Sequence, residues 1–218
     1  MALTEQALTT VAAMRAYITR ERTAAATGLL DDEHMEQVIA MASSAIAMHC
    51  QRQLRAPAAA ITYTLDGTGG TTLYLPEWPI VSIASITNLS TSEVIPARTT
   101  PTGLGWSASD ADRLAGIVRL TGYSLDSGSA MVSVSARLGY DATTAASTPA
   151  TQLTREHQLA LTQLEQACLA WGALLHSASV PSVETLSIEG GGAFTVREQA
   201  IPTRVRKLLE PFVRVTVA

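Results

Sequence analysis

Apolar residues in the first fifty positions recur every three or four residues, which predicts helices. A first helix is expected over residues 4–19. A second is expected to begin after Asp31, a favourable N-cap residue, and to end before Pro57. Aliphatic residues on this second helix alternate with Ala and Ser, whose small side chains allow a neighbouring helix to approach closely. We therefore expect one face of this helix, and one face of the later helix that begins at Thr154, to pack closely against another helix.

The middle of the chain changes to the alternating pattern of β-strands. Strands are predicted over residues 61–65, 71–75, 80–87, 94–95, 116–121 and 131–138. The Gly-rich run at residues 66–70 predicts that the first two strands form a β-hairpin with this run as its tip. The region as a whole is expected to be a small antiparallel sheet, sandwich or barrel.

Helical spacing returns at Thr154 and stops at Pro181. A short strand is expected over residues 183–188. A last short helix is predicted from Pro202, since Pro is favoured in the first turn of a helix. The apolar tail at 212–217 alternates as a strand does. It is expected either to fold back onto its own core or to add a strand to another subunit.

This order of elements predicts an α+β fold. A helical body is formed by the N- and C-terminal helices, with an inserted antiparallel β-sandwich or barrel-like strand block. The predicted borders are residues 1–56 for the N-terminal helices, 57–150 for the inserted β domain, and 151–218 for the C-terminal helices and a docking tail.

Composition restricts the classes of function. Charged residues make up 16% of the chain, below the roughly 25% that is usual for soluble domains. Such a surface suits a protein covered by partners and suits equally a domain rich in small residues. The net charge is −4, without a basic stripe for nucleic acid. The small basic groups are interpreted as solvated helix faces: Arg52 with Arg55, and Arg204 with Arg206 and Lys207.

Targeting signals are not evident in the sequence. No apolar run reaches the ~18 residues that a membrane span requires. The first ten residues lack the basic start and apolar stretch of a signal peptide. We therefore expect synthesis in the cytoplasm and no membrane partner.

The sequence predicts no catalytic, cofactor or metal site, and hence no enzyme. Cys50 and Cys168 are expected to be buried thiols. The four histidines show no metal-ligand spacing. The Gly-rich run lacks the Gly-Lys-Ser/Thr ending of a P-loop. A hydrolase would need a carboxylate pair formed in space, such as Asp110 with Asp112 or Glu184 with Glu189, and polar loop residues are the favoured interpretation of these acids.

One long segment resembles a known family. The residues from Tyr63 to Ile83 contain Asp-Gly-Thr-Gly-Gly followed by Leu-Tyr-Leu-Pro and Trp-Pro. In this they resemble the head-tail connector (adaptor) proteins of tailed bacteriophages. The opening helix, the second helix, residues 164–171 and residues 201–212 are similar to the same family.

The resemblance implies a structural role in the virion neck. Such subunits form a ring, usually of twelve copies, below the portal of the filled head. The ring extends the DNA channel and joins the head to the stopper or tail. The implied partners are further copies of the chain, the portal protein and a stopper or tail-completion protein, while DNA passes through the lumen without sequence-specific binding. No cofactor is implied.

Three groups of contact residues follow. Docking on the portal is expected of residues in the closing segment: Leu208, Leu209, Pro211, Phe212, Val213, Val215 and Val217. Contacts between subunits are expected of residues on the second and third long helices: Ile39, Ala42, Ile46, Leu164 and Trp171. Contacts near the predicted hairpin are expected of Gly67, Gly69, Gly70 and Trp78.

The alternative function is a carbohydrate- or peptide-binding β module of a virion or cell-surface assembly. In that case Trp78, Trp106 and Tyr74 would form a stacking platform on the strand block.

Overall fold

The computed structural model describes residues 6–21, 31–142, 151–179 and 201–214. The chain divides into two compact units. A helical unit comprises Met1–Gln51 and Thr162–Ala218, and a strand unit comprises Arg52–Leu161. The predicted α+β class is confirmed. The three sequence borders given above stay a prediction.

The elements are, in chain order, α1 (Val11–Glu21), α2 (Asp32–Cys50), β1 (Ile61–Thr68), β2 (Thr72–Tyr74), β3 (Ile80–Asn88), β4 (Glu93–Ile95), β5 (Gly105–Ser107), α3 (Asp110–Leu114), β6 (Ile117–Thr121), β7 (Ser127–Leu138), α4 (Gln152–Ser179), α5 (Thr203–Leu209) and a 3-10 helix (Glu210–Phe212).

Several predicted boundaries move. The first helix begins at Val11, and residues 6–10 are not helical. Asp31 occupies the predicted N-cap of α2 with extended backbone, although its side chain makes no capping hydrogen bond. Phe212 lies in the 3-10 helix, so the strand predicted over 212–217 does not begin there. The strand predicted over 183–188 falls outside the described residues.

Three helices build the core of the helical unit. Met14 and Ile18 of α1 pack with Met35 and Ile39 of α2 and with Leu169 of α4. All five side chains are buried. Their removal from water is the main force that holds the helices together.

The strand unit contains two antiparallel sheets in the orders β1-β7-β3-β4 and β2-β6-β5. Alternate residues of β7 are buried, as a strand with one face on a core requires: Val132, Val134, Ala136 and Leu138. Leu73 of β2 and Val118 of β6 belong to the same core, so both sheets share it. Neither sheet closes into a barrel.

The predicted hairpin of the first two strands is wrong. β1 pairs with β7 and β2 pairs with β6, so the two strands belong to different sheets. Gly67 is paired with Gly128, and a Cβ placed on Gly67 would lie 1.7 Å from the carbonyl oxygen of Asp126. The glycine therefore allows close approach to the chain before β7, and residues 69–71 carry the backbone from one sheet to the other.

Backbone hydrogen bonds tie the entry of the strand unit to the chain leaving β7. The N–H of Ala56 donates to the carbonyl of Tyr140 over 3.0 Å, and the N–H of Tyr140 donates to the carbonyl of Leu54 over 2.8 Å. Gly139 has φ +113°, and a Cβ there would lie 2.9 Å from the nitrogen of Ala56. These paired segments, 54–56 and 139–140, are called the clasp below.

We expect Gly67→Ala to lower the free energy of unfolding by about 2–3 kcal/mol, because the added methyl overlaps a backbone carbonyl. Gly70→Ala is the matched control in the same run, since its Cβ would meet nothing closer than the hydroxyl of Thr68 at 3.6 Å. Urea titration of both variants measures the difference. Equal midpoints for the two would contradict the close approach at Gly67.

Candidate functional site

The residues predicted to join subunits are core residues of this chain. Ile39, Ala42, Ile46, Leu164 and Trp171 are all buried. They are already covered by their own helical unit. An inter-subunit role for α2 and α4 stays a prediction, and it would fall to the exposed residues of these helices.

Exposed residues of α2 form a continuous stripe: Glu33, Gln37, Met41, Ser44 and Met48. Their spacing of four, four, three and four residues places them on one face of the helix. Met41 is 60% exposed and Met48 78% exposed. Met side chains adapt readily to an irregular partner surface. We call this set the outer stripe of α2.

The closing segment, predicted to dock on the portal, is held against its own unit. Leu209 and Phe212 are buried, and the N–H of Arg214 donates to the carbonyl of Cys50 over 3.0 Å. Leu208 and Val213 are half-buried, whereas Pro211 is exposed. Val215 and Val217 lie outside the described residues. Of the two conformations expected for the tail, the described part folds back onto its own core.

The residues predicted to make contacts near the hairpin take separate roles. Gly67 is packed against the chain before β7, while Gly69 has φ +72° in the crossover between the sheets. Gly70 has open space around its Cβ position except for Thr68. Trp78, by contrast, is half-buried and lies against the buried side chain of Arg52.

Arg52 is the centre of a cluster of side chains, and its prediction as a solvated residue is wrong. Its side chain is fully covered and forms an ion pair with Glu77 at 3.7 Å. The guanidinium lies 4.0 Å above the ring of Trp78 and 5.7 Å from that of Tyr140. It also donates a hydrogen bond to the carbonyl of Trp78. We call Arg52, Glu77, Trp78 and Tyr140 the Arg52 cluster.

His157 lies on the other side of Tyr140. The two ring centroids are 5.6 Å apart in an edge arrangement. The Nδ1 atom of His157 accepts a hydrogen bond of 3.1 Å from the backbone N–H of Asp141, which is itself paired with Arg137 at 3.1 Å. Burial lowers the pKa of His157 below its usual value. The neutral imidazole is therefore favoured in the folded chain.

Groups that could serve in catalysis have structural partners. Burial raises the pKa of the Cys168 thiol to about 11, so the thiol is protonated at neutral pH. Asp112 forms a capping box with Ser109, and its hydrogen bond from Arg119 lowers the pKa of its carboxyl. Glu184 and Glu189 lie outside the described residues.

The fold brings two histidines together that the sequence spacing separates. The Nε2 atom of His34 and the Nδ1 atom of His176 are 3.1 Å apart. No group of three or more His, Cys, Asp or Glu residues in the described ranges has a geometry that could hold a metal ion. Nor is any helix within those ranges long and apolar enough to cross a bilayer.

The three aromatic residues of the alternative stacking platform differ in their surroundings: Tyr74 is exposed, Trp106 packs against the core of the strand unit, and Trp78 lies against Arg52. Tyr74 and Trp106 belong to β2 and β5, which are opposite edge strands of one sheet with β6 between them. Trp106 borders a cavity of about 220 Å³ lined by Ile80, Val81, Ser82, Ile83, Trp106, Ala108 and Arg113.

Solved structures of phage-like particles share this fold. No protein-family model and no curated protein match the chain. A chain in the neck of an empty gene transfer agent particle, computed with C6 symmetry, is 19% identical with a TM-score of 0.55. A chain in the virion of a native gene transfer agent particle is 18% identical with a TM-score of 0.53. Each match covers 100% of this chain and 95% of the other, so the fold is shared over the full length.

We expect Arg52→Met to lower the free energy of unfolding by about 3–5 kcal/mol, because it leaves Glu77 covered and without this cation. Adding Glu77→Gln should recover part of the loss, since the remaining group is then neutral. Arg155→Met, an exposed arginine of the same unit, is the control and should change stability little. Chemical denaturation of the wild type, the single variants Arg52→Met and Glu77→Gln, and the double variant gives the coupling energy. Strictly additive effects would argue against the ion pair.

We expect protonation of His157 to lower the free energy of unfolding as the solution becomes more acidic. The unfolded histidine binds a proton near pH 6.5, whereas the folded one, with its lowered pKa, binds it only at lower pH. The free energy of unfolding therefore decreases as the pH falls below about 6.5. His157→Gln keeps a hydrogen-bond acceptor and should flatten this dependence. Urea midpoints measured from pH 7.5 to 5 test it, and equal slopes for both proteins would contradict it.

Proposed function

We propose that this chain is a structural subunit of the neck of a phage-like particle and that it forms the adaptor ring below the portal. The observation that carries the proposal is the fold, which is shared from end to end with chains of a gene transfer agent neck and virion. The match is not confined to one common substructure. It includes the helical unit built from both ends of the chain as well as the inserted strand unit.

A ring requires that each copy present two different surfaces that fit one another. The outer stripe of α2 is one such surface, since Met41 and Met48 expose large apolar side chains beside the small Ser44. Covering them removes apolar surface from water, at ~25 cal/mol per Å². Twelve copies, as expected from the resemblance, would contain the C6 symmetry used for the related neck.

The closing segment is our candidate for contact with the portal. Leu209 and Phe212 hold it in place from within, while Leu208, Pro211 and Val213 reach the surface. The residues from 215 onward would extend this contact. A stopper or tail-completion protein would then bind the opposite side of the ring.

Passage of DNA through the lumen is compatible with the charge of the chain. Each phosphate that a protein neutralises adds salt-dependent affinity, which would slow a moving duplex. A net charge of −4 opposes the overall attraction of the subunit to DNA. The neutral thiol of Cys168 and the structural partners of Asp112 also favour a role without catalysis.

Imaging tests the proposal. The chain is expressed with the portal protein of the same particle and the complex is examined by electron microscopy. We expect a ring of this chain directly below the portal. The chain located in the head shell, in the distal tail or not bound at all would overturn the neck assignment.

Variants can test the contact between subunits and the contact with the portal separately. Met41→Glu with Met48→Glu should reduce ring formation at least about tenfold, since burying each Met is worth ~1.5–3 kcal/mol. Leu89→Glu, at an exposed apolar residue of the strand unit, is the matched control. A chain ending at Arg214 keeps Phe212 and tests whether the last four residues are needed for portal binding.

A further inference from the structure

α5 and the segment after it are strongly basic. Arg204, Arg206, Lys207 and Arg214 are all exposed, and Glu210 is the one acidic residue among positions 201–214. The ion pairs seen among the described residues use other cations, namely Arg15, Arg52, Arg119 and Arg137. This concentration of positive charge is unexpected in a chain of net charge −4. We call these four cations the basic end.

The start of α2 carries the opposite charge. Asp31, Asp32 and Glu33 are exposed there, and Glu36 follows half-buried. Arg15 of α1 pairs with Asp32, and a second cation of the same helix, Arg20, lies in its last turn. The balance remains negative. Asp31, Asp32 and Glu33 are called the acidic end.

Arg214 of the basic end and the acidic end lie at opposite ends of α2. The N–H of Arg214 is bonded to the carbonyl of Cys50, the last residue of α2, whereas the acidic end begins the same helix. α2 has 19 residues, which corresponds to a length of about 28 Å. This distance exceeds a Debye length of ~8–10 Å, so the opposite charges within one copy interact little with each other. They remain available to attract a second copy head to tail.

We propose that the basic end of one copy docks on the acidic end of the next copy. The contact is heterologous, so repeated copies close into a ring when the rotation between them allows it. Glu33 is also the first residue of the outer stripe of α2, so the charged contact is continuous with the apolar surface of Met41 and Met48. This inference rests on the proposed ring and names the side chains that join its subunits.

Lys207 is the only lysine of the chain, which makes the contact directly testable. A carbodiimide couples an amine to a carboxylate without a spacer, so only Lys207 and the terminal amine can react. Equal amounts of unlabelled and nitrogen-15-labelled chain are mixed and cross-linked at low salt. We expect mixed-isotope peptides that join Lys207 to Asp31, Asp32 or Glu33. Lys207→Arg keeps the charge, so the cross-link should disappear while self-association is retained.

Charge reversal gives the second arm, measured by sedimentation velocity over a range of concentrations. Arg204→Glu with Lys207→Glu should weaken self-association at least about tenfold, and so should Asp31→Lys with Glu33→Lys. A chain carrying all four changes should associate again, because the reversed ends are complementary. Glu93→Lys with Arg155→Glu reverses exposed charges of the strand unit and serves as the control.

The outcomes are distinct. Cross-links from Lys207 to other carboxylates, a chain that stays monomeric at low salt, or failure of the fourfold variant to associate would each overturn the contact. Loss of binding to duplex DNA in the Arg204→Glu, Lys207→Glu variant, without any self-association to lose, would assign the basic end to phosphate instead. If a ring forms below the portal without these cross-links, the proposed neck function is retained and only the contact is rejected. If the chain is not found in the neck, the proposed function is rejected whatever the cross-linking result.

Discussion

The strand unit is an insertion, and the clasp is the constraint that makes this possible. Residues 54–56 enter beside residues 139–140, which leave β7, and backbone hydrogen bonds join the two segments. Gly139 is required because a Cβ would collide with the backbone of Ala56. The helical unit is made from both ends of the chain, and within the strand unit the clasp places the first residues beside the end of the last strand. The Arg52 cluster, which includes Trp78 and Tyr140, adds side-chain contacts beside this point.

Buried and exposed residues occupy opposite faces of the helices in the helical unit. The faces with Ile39, Ile46 and Leu164 hold the unit together, and the opposite faces carry the residues available to partners. A protein that assembles must keep both sets separate, because residues that stabilise the subunit cannot also be exposed for a neighbour. In α2 this separation follows from helical geometry alone, since Met41 and Met48 occur on the side away from Ile39 and Ile46.

Local sequence patterns predicted most of the elements and missed how they are joined. The N-terminus of α2, the alternation in β7 and the helix after Pro202 were evident because each depends on neighbouring residues. The hairpin prediction failed because a Gly-rich turn does not specify which strand will pair with the one before it, and β1 pairs with β7, which follows more than fifty residues later. The residues predicted to join subunits through α2 and α4 are buried within their own unit for a related reason: aliphatic residues at helical spacing mark a buried face, whichever surface covers it. Arg52 was missed because burial of an arginine depends on Glu77 and Trp78, which only the fold brings near.

Burial of the two cysteines affects how the folded chain responds to oxidants. Cys50 and Cys168 are both buried and outside any disulfide, and the pKa of Cys168 is raised to about 11. Oxidants and foreign disulfides attack thiolates that they can reach, so a folded copy offers them little to attack. A folded copy would therefore keep the same covalent structure in oxidising surroundings as in reducing ones.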